Sequence, residues 1–250
     1  MEMVSGASPA SSAGSMSEGS MRLSMARSYG TFAGAVERRT RLFMHMLVLT
    51  AALMTAGPVF AQPVKIVVLG DSLSAGLGLS GPVAFPARLQ KALKDKGIDV
   101  AMINAGVSGD TSSGGRDRLD WSVPEGTEAV IVELGANDAL RGTDPAVTRA
   151  ALSDIVSRLK ARKIAVMLCG MLAPPNYGRD YAAQFDAIYP DLAKKFDVPL
   201  YRFFLDGVAA DAKLNQADGI HPTAEGVDII VTNMLPTVEA FLGTIRGHRS

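Results

Sequence analysis

The chain has 250 residues, enough for one or two domains, and 48% of them are apolar, as in ordinary globular proteins. The 25 basic and 25 acidic residues give a formal net charge of zero, and residues 63–250 carry 20 of the basic and 22 of the acidic ones. This balance argues against nucleic acid as the main partner. Cys169 is the only cysteine, which excludes an intrachain disulfide, and its apolar neighbours predict a buried side chain.

The first 62 residues differ in composition from the rest, because they contain neither Lys nor Asp. Residues 1–36 show no apolar period, and we predict that they are disordered or precede a later translation start. Three arginines then precede an apolar run over 42–57, and a Val-Phe-Ala tripeptide ends at Ala61. This order predicts a secretory signal over 37–61, cleaved near Ala61, and a periplasmic or secreted protein.

An uncleaved transmembrane anchor is the alternative for this segment. The stretch over 42–64 carries no Lys, Arg, Asp or Glu and is long enough to cross a bilayer. Gly57, Pro58 and Pro63 interrupt it, however, and this favours cleavage over retention.

Beyond residue 62, strand-like apolar runs alternate with helix-like segments. The predicted strands are Val64–Leu69, Val100–Asn104, Ala129–Leu134, Ile164–Leu168 and approximately Pro199–Tyr201. The predicted helices are Ala84–Lys96, Pro145–Arg162, Tyr181–Phe196 and Thr223–Leu242. Several strands lack polar alternation, as expected for strands covered on both faces. The alternation predicts one α/β sandwich domain over 63–250, built on a parallel sheet.

Four polar clusters lie beside the predicted strand ends or just before helices. They are Gly70–Ser74, Asn104–Thr111, Gly135–Asp138 and Asp218–Pro222. Each alone is typical of a turn or a cap, and Asp71 and Asp138 are expected to hold their turns by accepting backbone N–H groups. Because open parallel sheets bind ligands outside the carboxyl ends of their strands, we expect the four clusters to gather there.

Ser72 is the candidate nucleophile, since it comes just after the first predicted strand. A serine hydroxyl needs an adjacent base, and the chain has three histidines. His45 lies in the predicted signal and His248 among the last residues, which leaves His221 as the candidate base. Asp218, three residues earlier, is the candidate that orients its imidazole. The Gly-x-Ser-x-Gly elbow of α/β-hydrolases is absent around Ser72.

Together the four clusters resemble the sequence blocks of the GDSL, or SGNH, hydrolase superfamily. The four residues that give the superfamily its name match Ser72, Gly109, Asn137 and His221. The resemblance spans about Val64 to Leu242 and is greatest to the bacterial acyl-CoA thioesterase I, lysophospholipase and arylesterase group, notably over Glu133–Gly142 and Asn176–Gly178. It implies a three-layer α/β/α sandwich of flavodoxin-like type with a central five-stranded parallel sheet.

The resemblance also implies an activity and a set of site residues. The expected enzyme is a serine esterase or thioesterase that hydrolyses aryl esters, lysophospholipids or fatty acyl thioesters through an acyl-enzyme. The backbone N–H groups of Ser72 and Gly109 and the side-chain amide of Asn137 would form the oxyanion hole. Leu140, Leu172 and Tyr177 are candidate acyl contacts, with core packing as the alternative for each.

No metal site, cofactor or dinucleotide motif is indicated. We expect a monomer that acts on a small-molecule acyl ester or lysophospholipid, with transient contact with lipid. Two alternative functions are a carbohydrate O-acetylesterase and a non-catalytic periplasmic lipid-binding module. The presence of Ser72, Asp218 and His221 together favours an enzyme over the binding module. Trp121 has no site-like neighbours in the sequence and is expected to pack against the core.

Overall fold

The computed structural model describes residues 37–47 and 62–247, without the side chains of 246 and 247. The chain divides into two units between Ala61 and Gln62. In the first unit, 37–47 are helical. The predicted extension over 1–36, the remainder of the predicted signal over 48–61, and His248 lie outside the described residues. Within 37–47 and 62–247, no helix combines the length and apolar character that a membrane crossing requires.

The second unit contains a five-stranded parallel sheet with the strand order β2-β1-β3-β4-β5. Its strands are β1 (Val64–Gly70), β2 (Val100–Gly106), β3 (Ala129–Glu133), β4 (Ala165–Cys169) and β5 (Leu200–Tyr201). Strands β1 and β3 lie inside the sheet and are almost wholly buried, which explains their continuous apolar runs. The free Cys169 is buried, as predicted.

Helices flank the sheet in an α/β/α arrangement, and this confirms the predicted fold class. They are α1 (Ser72–Ala75), α2 (Phe85–Asp95), α3 (Ser112–Asp117), α4 (Leu119–Ser122), α5 (Ala136–Leu140), α6 (Pro145–Ala161), α7 (Arg179–Asp186), α8 (Ile188–Phe196) and α9 (Ala224–Gly247). Helix α2 packs on α9, while α6 packs on α3 and α8.

Two local predictions are wrong. The helix predicted over Tyr181–Phe196 is two helices that meet at Ala187, because Pro190 has no N–H to donate to the carbonyl four residues earlier. Trp121 does not pack against the core, and 75% of it is exposed. Helix α4 buries Leu119 and Ser122, which are three residues apart, so Trp121 between them faces outward.

The sheet register brings the polar clusters to one edge. Gly70 at the end of β1 pairs with Gly106 of β2 on one side and with Glu133 of β3 on the other. The chain runs from β1 to β2 and then to β3 on the opposite side of β1. The edge at β1 and β3 is therefore a topological switch point, where ligands bind in open α/β sheets.

Candidate active site

Ser72 is the first residue of α1, directly after β1. Asp71 caps this short helix, since its Oδ1 accepts the N–H of Leu73 at 3.0 Å. A backbone N–H in the first turn of a helix has no intrahelical acceptor, so the N–H of Ser72 is available to a ligand. The turn packs tightly on the sheet: a Cβ on Gly70 would lie 2.3 Å from Ser74 Oγ and 2.6 Å from Glu133 Oε2. Glycine at 70 is therefore a packing requirement.

Ser72, His221 and Asp218 form a continuous line of hydrogen bonds. Ser72 Oγ lies 2.9 Å from His221 Nε2, and His221 Nδ1 lies 2.7 Å from Asp218 Oδ2. The N–H groups of His221 and Ile220 donate to Asp218 Oδ1 at 3.0 and 2.9 Å. These two N–H groups, then the imidazole, lower the pKa of Asp218 to about 2. An ionised carboxylate only accepts, so Nδ1 carries a proton, and in the neutral imidazole Nε2 is then the acceptor for Ser72 Oγ.

A side chain that the sequence analysis did not identify ties the histidine loop to the serine loop. Gln216 Nε2 donates to the carbonyl of Leu77 at 2.8 Å and to that of Pro222 at 3.0 Å. Its backbone N–H also donates to the carbonyl of His221 at 2.7 Å. Gln216 thus holds the loop of the base against the segment that follows the nucleophile.

Asn137 and Gly109 approach the same point from two other loops. Asn137 lies in α5, and its Nδ2 donates to Asp71 Oδ2 at 3.1 Å. This bond uses one of the two hydrogens of the amide. It also fixes the plane of the amide group and thus the direction of the second hydrogen. Gly109 adopts φ +83°, a left-handed conformation that favours glycine. The structure therefore brings Ser72, Gly109, Asn137 and His221 together around one cavity, as expected from the sequence.

Asp138 connects the two loops that carry Gly109 and Asn137. It is buried, and its carboxylate accepts from the N–H and Oγ of Ser112 at 2.8 and 2.6 Å and from Thr148 Oγ1 at 3.0 Å. Asp138 thus supports the framework of the site from below and does not face the cavity.

Two arginines that the sequence analysis did not identify also support these loops. The buried Arg118 donates to Asp110 Oδ2 at 2.6 Å and to the carbonyls of Ala105 and Gly70, each at 2.8 Å. The exposed Arg141 donates through Nη2 to the carbonyl of Gly109 at 2.8 Å. Arg141 lies within the family-like segment Glu133–Gly142, but no sequence pattern assigns either arginine a role, because the partners are mainly backbone carbonyls.

Two carboxyl groups lie beneath the nucleophile, and both are fully buried. Burial raises the pKa of Asp71 to about 6, although the N–H of Leu73 and the amide of Asn137 oppose the shift. Burial, followed by the charge of Asp71, raises the pKa of Glu133. Glu133 Oε2 accepts from Ser74 Oγ at 2.6 Å and faces the N–H of Asp71 at 3.4 Å. The sequence analysis did not identify this group, although a lone acidic residue in the apolar run of β3 is a signal that could have found it.

The cavity at the serine has a volume of about 510 Å³ and is largely apolar. Leu140 and Leu172, two of the predicted acyl contacts, line it together with Leu77. Tyr177, the third, is not among the lining residues, is 40% exposed, and donates through its hydroxyl to the carbonyl of Leu140 at 2.8 Å. Over the described ranges, no group of three or more His, Cys, Asp or Glu side chains is placed to hold a metal ion.

Comparisons with known proteins identify the family of the chain. The GDSL-like Lipase/Acylhydrolase family matches residues 68–229. The chain is 40% identical to "Esterase TesA" of Pseudomonas aeruginosa over 178 residues, which are 71% of this chain and 89% of that protein. It is 42% identical to "Thioesterase 1/protease 1/lysophospholipase L1" of Escherichia coli over 166 residues, covering 66% and 78% of the two chains.

Among solved structures, AlinE4, described as an SGNH-hydrolase family esterase, superposes with a TM-score of 0.62 at 46% identity. The match covers 72% of this chain and 97% of AlinE4. The family match spans more than half of the chain and ends within α9, so it includes all four polar clusters. The chain therefore belongs to the GDSL-like lipase/acylhydrolase family and is a carboxylic ester hydrolase.

Proposed function

We propose that the protein is a serine esterase or thioesterase that works through a Ser72-His221-Asp218 triad. The observation that carries the proposal is the line of contacts from Ser72 Oγ through His221 to Asp218, at 2.9 and 2.7 Å. These distances lie within the range that proton transfer between a nucleophile and its base requires.

In the proposed mechanism, Ser72 Oγ attacks the acyl carbonyl while its proton passes to His221 Nε2. The N–H groups of Ser72 and Gly109 and the amide of Asn137 stabilise the tetrahedral oxyanion. His221 then protonates the departing alcohol or thiol, and an acyl-enzyme remains on Ser72. Water attacks this ester with His221 again as the base. The second tetrahedral intermediate then collapses, His221 returns the proton to Ser72 Oγ, and the carboxylic acid leaves. Asp218 stabilises the imidazolium in both halves of the cycle.

The cavity supports an acyl chain as the group that enters the site. Apart from the four residues at the reaction centre, its lining is apolar: Leu73, Leu77, Ala136, Ala139, Leu140, Met171, Leu172, Ala173, Pro174, Phe203, Leu205 and Ile220. A carbohydrate O-acetylesterase would need polar groups for sugar hydroxyls, and this wall supplies few. We therefore propose aryl esters, lysophospholipids and acyl thioesters as substrates, in keeping with the esterase, thioesterase and lysophospholipase names of the two relatives.

For the cellular context, we propose a single hydrolase domain over 63–250 that is secreted or periplasmic after cleavage near Ala61. The basic and apolar order of 37–61 supports this proposal. We also propose that the domain acts as a monomer on a small-molecule substrate. Mass spectrometry of the exported protein tests the first proposal, since a first residue well upstream of Ala61 would contradict it.

The test of the activity is Ser72→Ala, assayed with a chain-length series of p-nitrophenyl esters. We expect kcat to fall by about 10³-fold or more, because the residual rate would come from the oxyanion hole and binding alone. A fluorophosphonate should label wild type on the peptide that contains Ser72 and should not label the variant. Ser153→Ala, on the surface of α6, is the matched control and should behave as wild type.

Two outcomes would contradict the proposal. Turnover that persists in Ser72→Ala would remove Ser72 as the nucleophile. A wild-type preference for acetate, with longer acyl esters turned over poorly, would favour the carbohydrate O-acetylesterase instead.

A further inference from the structure

We propose that Arg141 is a positioning residue for the oxyanion hole, and that its guanidinium sets the orientation of Gly109 by binding the Gly109 carbonyl. The inference rests on the proposed function, since it assumes that the N–H of Gly109 faces the reacting carbonyl oxygen. It assigns Arg141 a role in the turnover step and no direct contact with substrate.

The position of Arg141 connects the two loops that would supply oxyanion donors. Its backbone N–H donates to the carbonyl of Asn137 at 3.1 Å, at the end of the helix that carries the Asn137 amide. Its side chain reaches across to the carbonyl of Gly109, with Nη2 at 2.8 Å. One residue is thus anchored to the Asn137 helix through its main chain and to Gly109 through its guanidinium.

Gly109 lies in an exposed turn that Arg141 restrains from outside. It has φ +83° and no side chain, and it lies at the exposed end of the loop over 107–109. Glycine has the greatest conformational freedom of any residue. Within the loop, the N–H of Asp110 donates to the carbonyl of Val107 at 3.1 Å and closes the turn around Gly109, and the bond from Arg141 adds a restraint from another loop. Since N–H and C=O of one residue are separated by only two backbone torsions, a bond to the carbonyl also restricts the direction of the N–H.

The neighbouring hydrogen bonds fix the ends of this loop. Before it, the N–H of Val107 donates to the carbonyl of Gly70 at 3.1 Å. After it, Asp110 is paired with the buried Arg118 at 2.6 Å. Among the described residues, Arg141 provides the hydrogen bond that reaches Gly109 itself from another loop. Charge-assisted bonds are stronger than neutral ones, which suits a restraint on an exposed turn.

The location of Arg141 separates positioning from substrate binding and from folding. The side chain is exposed, and it is not among the residues that line the cavity. The buried bonds of Asp138 to Ser112 join the same two segments, its bond to Thr148 ties them to α6, and none of these bonds involves Arg141. Removal of the guanidinium should therefore leave the fold and the acyl pocket intact while Gly109 gains freedom.

The experiment compares Arg141→Ala and Arg141→Lys with Arg149→Ala in the full chain, using an uncharged p-nitrophenyl ester. Complete loss of an oxyanion donor costs about 10²–10³ in kcat, so a donor that is present but poorly oriented should cost about 10-fold. We expect that loss in Arg141→Ala, with KM within about two-fold of wild type and an unchanged Tm. Arg141→Lys should recover part of the loss, because an ammonium is also a charged donor.

Chemical rescue provides a readout that a general structural role would not change. Guanidinium chloride, kept far below denaturing concentrations, should raise kcat of Arg141→Ala and leave wild type and Arg149→Ala unchanged. Arg149 is a suitable control because it is an arginine at the surface of α6, paired with Asp191 at 2.9 Å. Its removal should not affect turnover.

Four results would overturn the proposal. They are an unchanged kcat in Arg141→Ala, an equal loss in Arg149→Ala, a lower Tm without rescue, and a change confined to KM. The last result would assign Arg141 to substrate binding. If wild type itself failed to hydrolyse esters, or if Ser72→Ala retained turnover, the proposed function would fail first, so the two failures are distinguishable.

Discussion

The two ends of the proposed triad lie in opposite environments. Ser72 is 7% exposed and lies on a turn packed against the buried side chains of Asp71, Ser74 and Glu133. Beyond the hydrogen bond between Ser72 and His221, the side chain of His221 is 16% exposed and that of Asp218 is 44% exposed. The core positions the nucleophile, whereas the base is positioned by bonds within its own surface loop and by Gln216, which ties that loop to Leu77.

The carboxyl groups at the two ends show the same contrast. Asp218 accepts two backbone N–H groups at the surface, and its pKa falls to about 2. Asp71 also accepts a backbone N–H, yet burial raises its pKa to about 6. Identical side chains therefore differ in charge behaviour because desolvation outweighs hydrogen bonding at one of them. The exposed end supplies a permanent charge for the imidazolium, and the buried end serves mainly to hold backbone and amide groups in place.

The largest expected effect is at the exposed end, for Asp218→Asn. The side-chain carbonyl of the variant can still accept the N–H groups of Ile220 and His221, which leaves the new NH₂ group facing His221 Nδ1. That donor would force Nδ1 to accept, so Nε2 would carry the proton and could not take one from Ser72. We expect kcat to fall by about 10³–10⁴-fold, as a reversed tautomer requires. Steady-state kinetics on p-nitrophenyl esters measures this loss.

The matched measurement for Asp218→Asn is its Tm, because the exposed loop of Asp218 does not contribute to the core. An unchanged Tm with lost turnover would support a purely catalytic role for the carboxylate. Near-normal turnover in the variant would show that the exposed pair does not set the tautomer, and it would contradict the assignment.

A loss of kcat of intermediate size is expected for Asn137, which lies between the buried and the exposed end of the site. Asn137→Ala removes the proposed amide donor and leaves Asp71 Oδ2 without the partner it has at 3.1 Å. We expect kcat to fall by about 10²–10³-fold, with KM less affected, because the amide acts on the oxyanion and not on the ground-state ester. Circular dichroism serves as the folding control. Turnover close to wild type in a folded Asn137→Ala protein would remove the amide from the site.

The same contrast explains how much was predictable from the sequence. The strands, the fold class and the gathering of the polar clusters could be predicted, because apolar runs and turn residues are local signals. Ser72, His221 and Asp218 could be nominated from residue chemistry and a short list of histidines. Gln216, Arg118 and Arg141 could not, since they bind backbone carbonyls of distant loops. The outward face of Trp121 likewise depends on how α4 lies on the fold.

The smallest expected effect is at the buried end, and it concerns stability. Because burial raises the pKa of Glu133 above its ordinary value of 4.5, the folded state binds this proton more tightly than the unfolded state. The proton on Glu133 therefore stabilises the folded state at low pH, and this stabilisation is lost as the pH rises above about 4.5. Glu133→Gln removes this titration, so the free energy of unfolding of the variant, relative to wild type, should rise between about pH 5 and pH 8.

Urea unfolding across this pH range measures the difference, with Glu125→Gln at the surface as the control that should follow wild type. The pKa of Asp71 is also raised by folding, from 3.8 to about 6, but Asp71 is present in both wild type and Glu133→Gln. The pKa of Asp218 is lowered by folding, from 3.8 to about 2, so Asp218 titrates below the pH range of this experiment. A change in slope in Glu133→Gln would thus come from the carboxyl pair under the nucleophile. Parallel plots of unfolding free energy against pH for wild type, Glu133→Gln and Glu125→Gln would show that Glu133 does not couple folding to pH. The difference in electrostatics between the buried and exposed ends of the triad would then be smaller than their burial indicates.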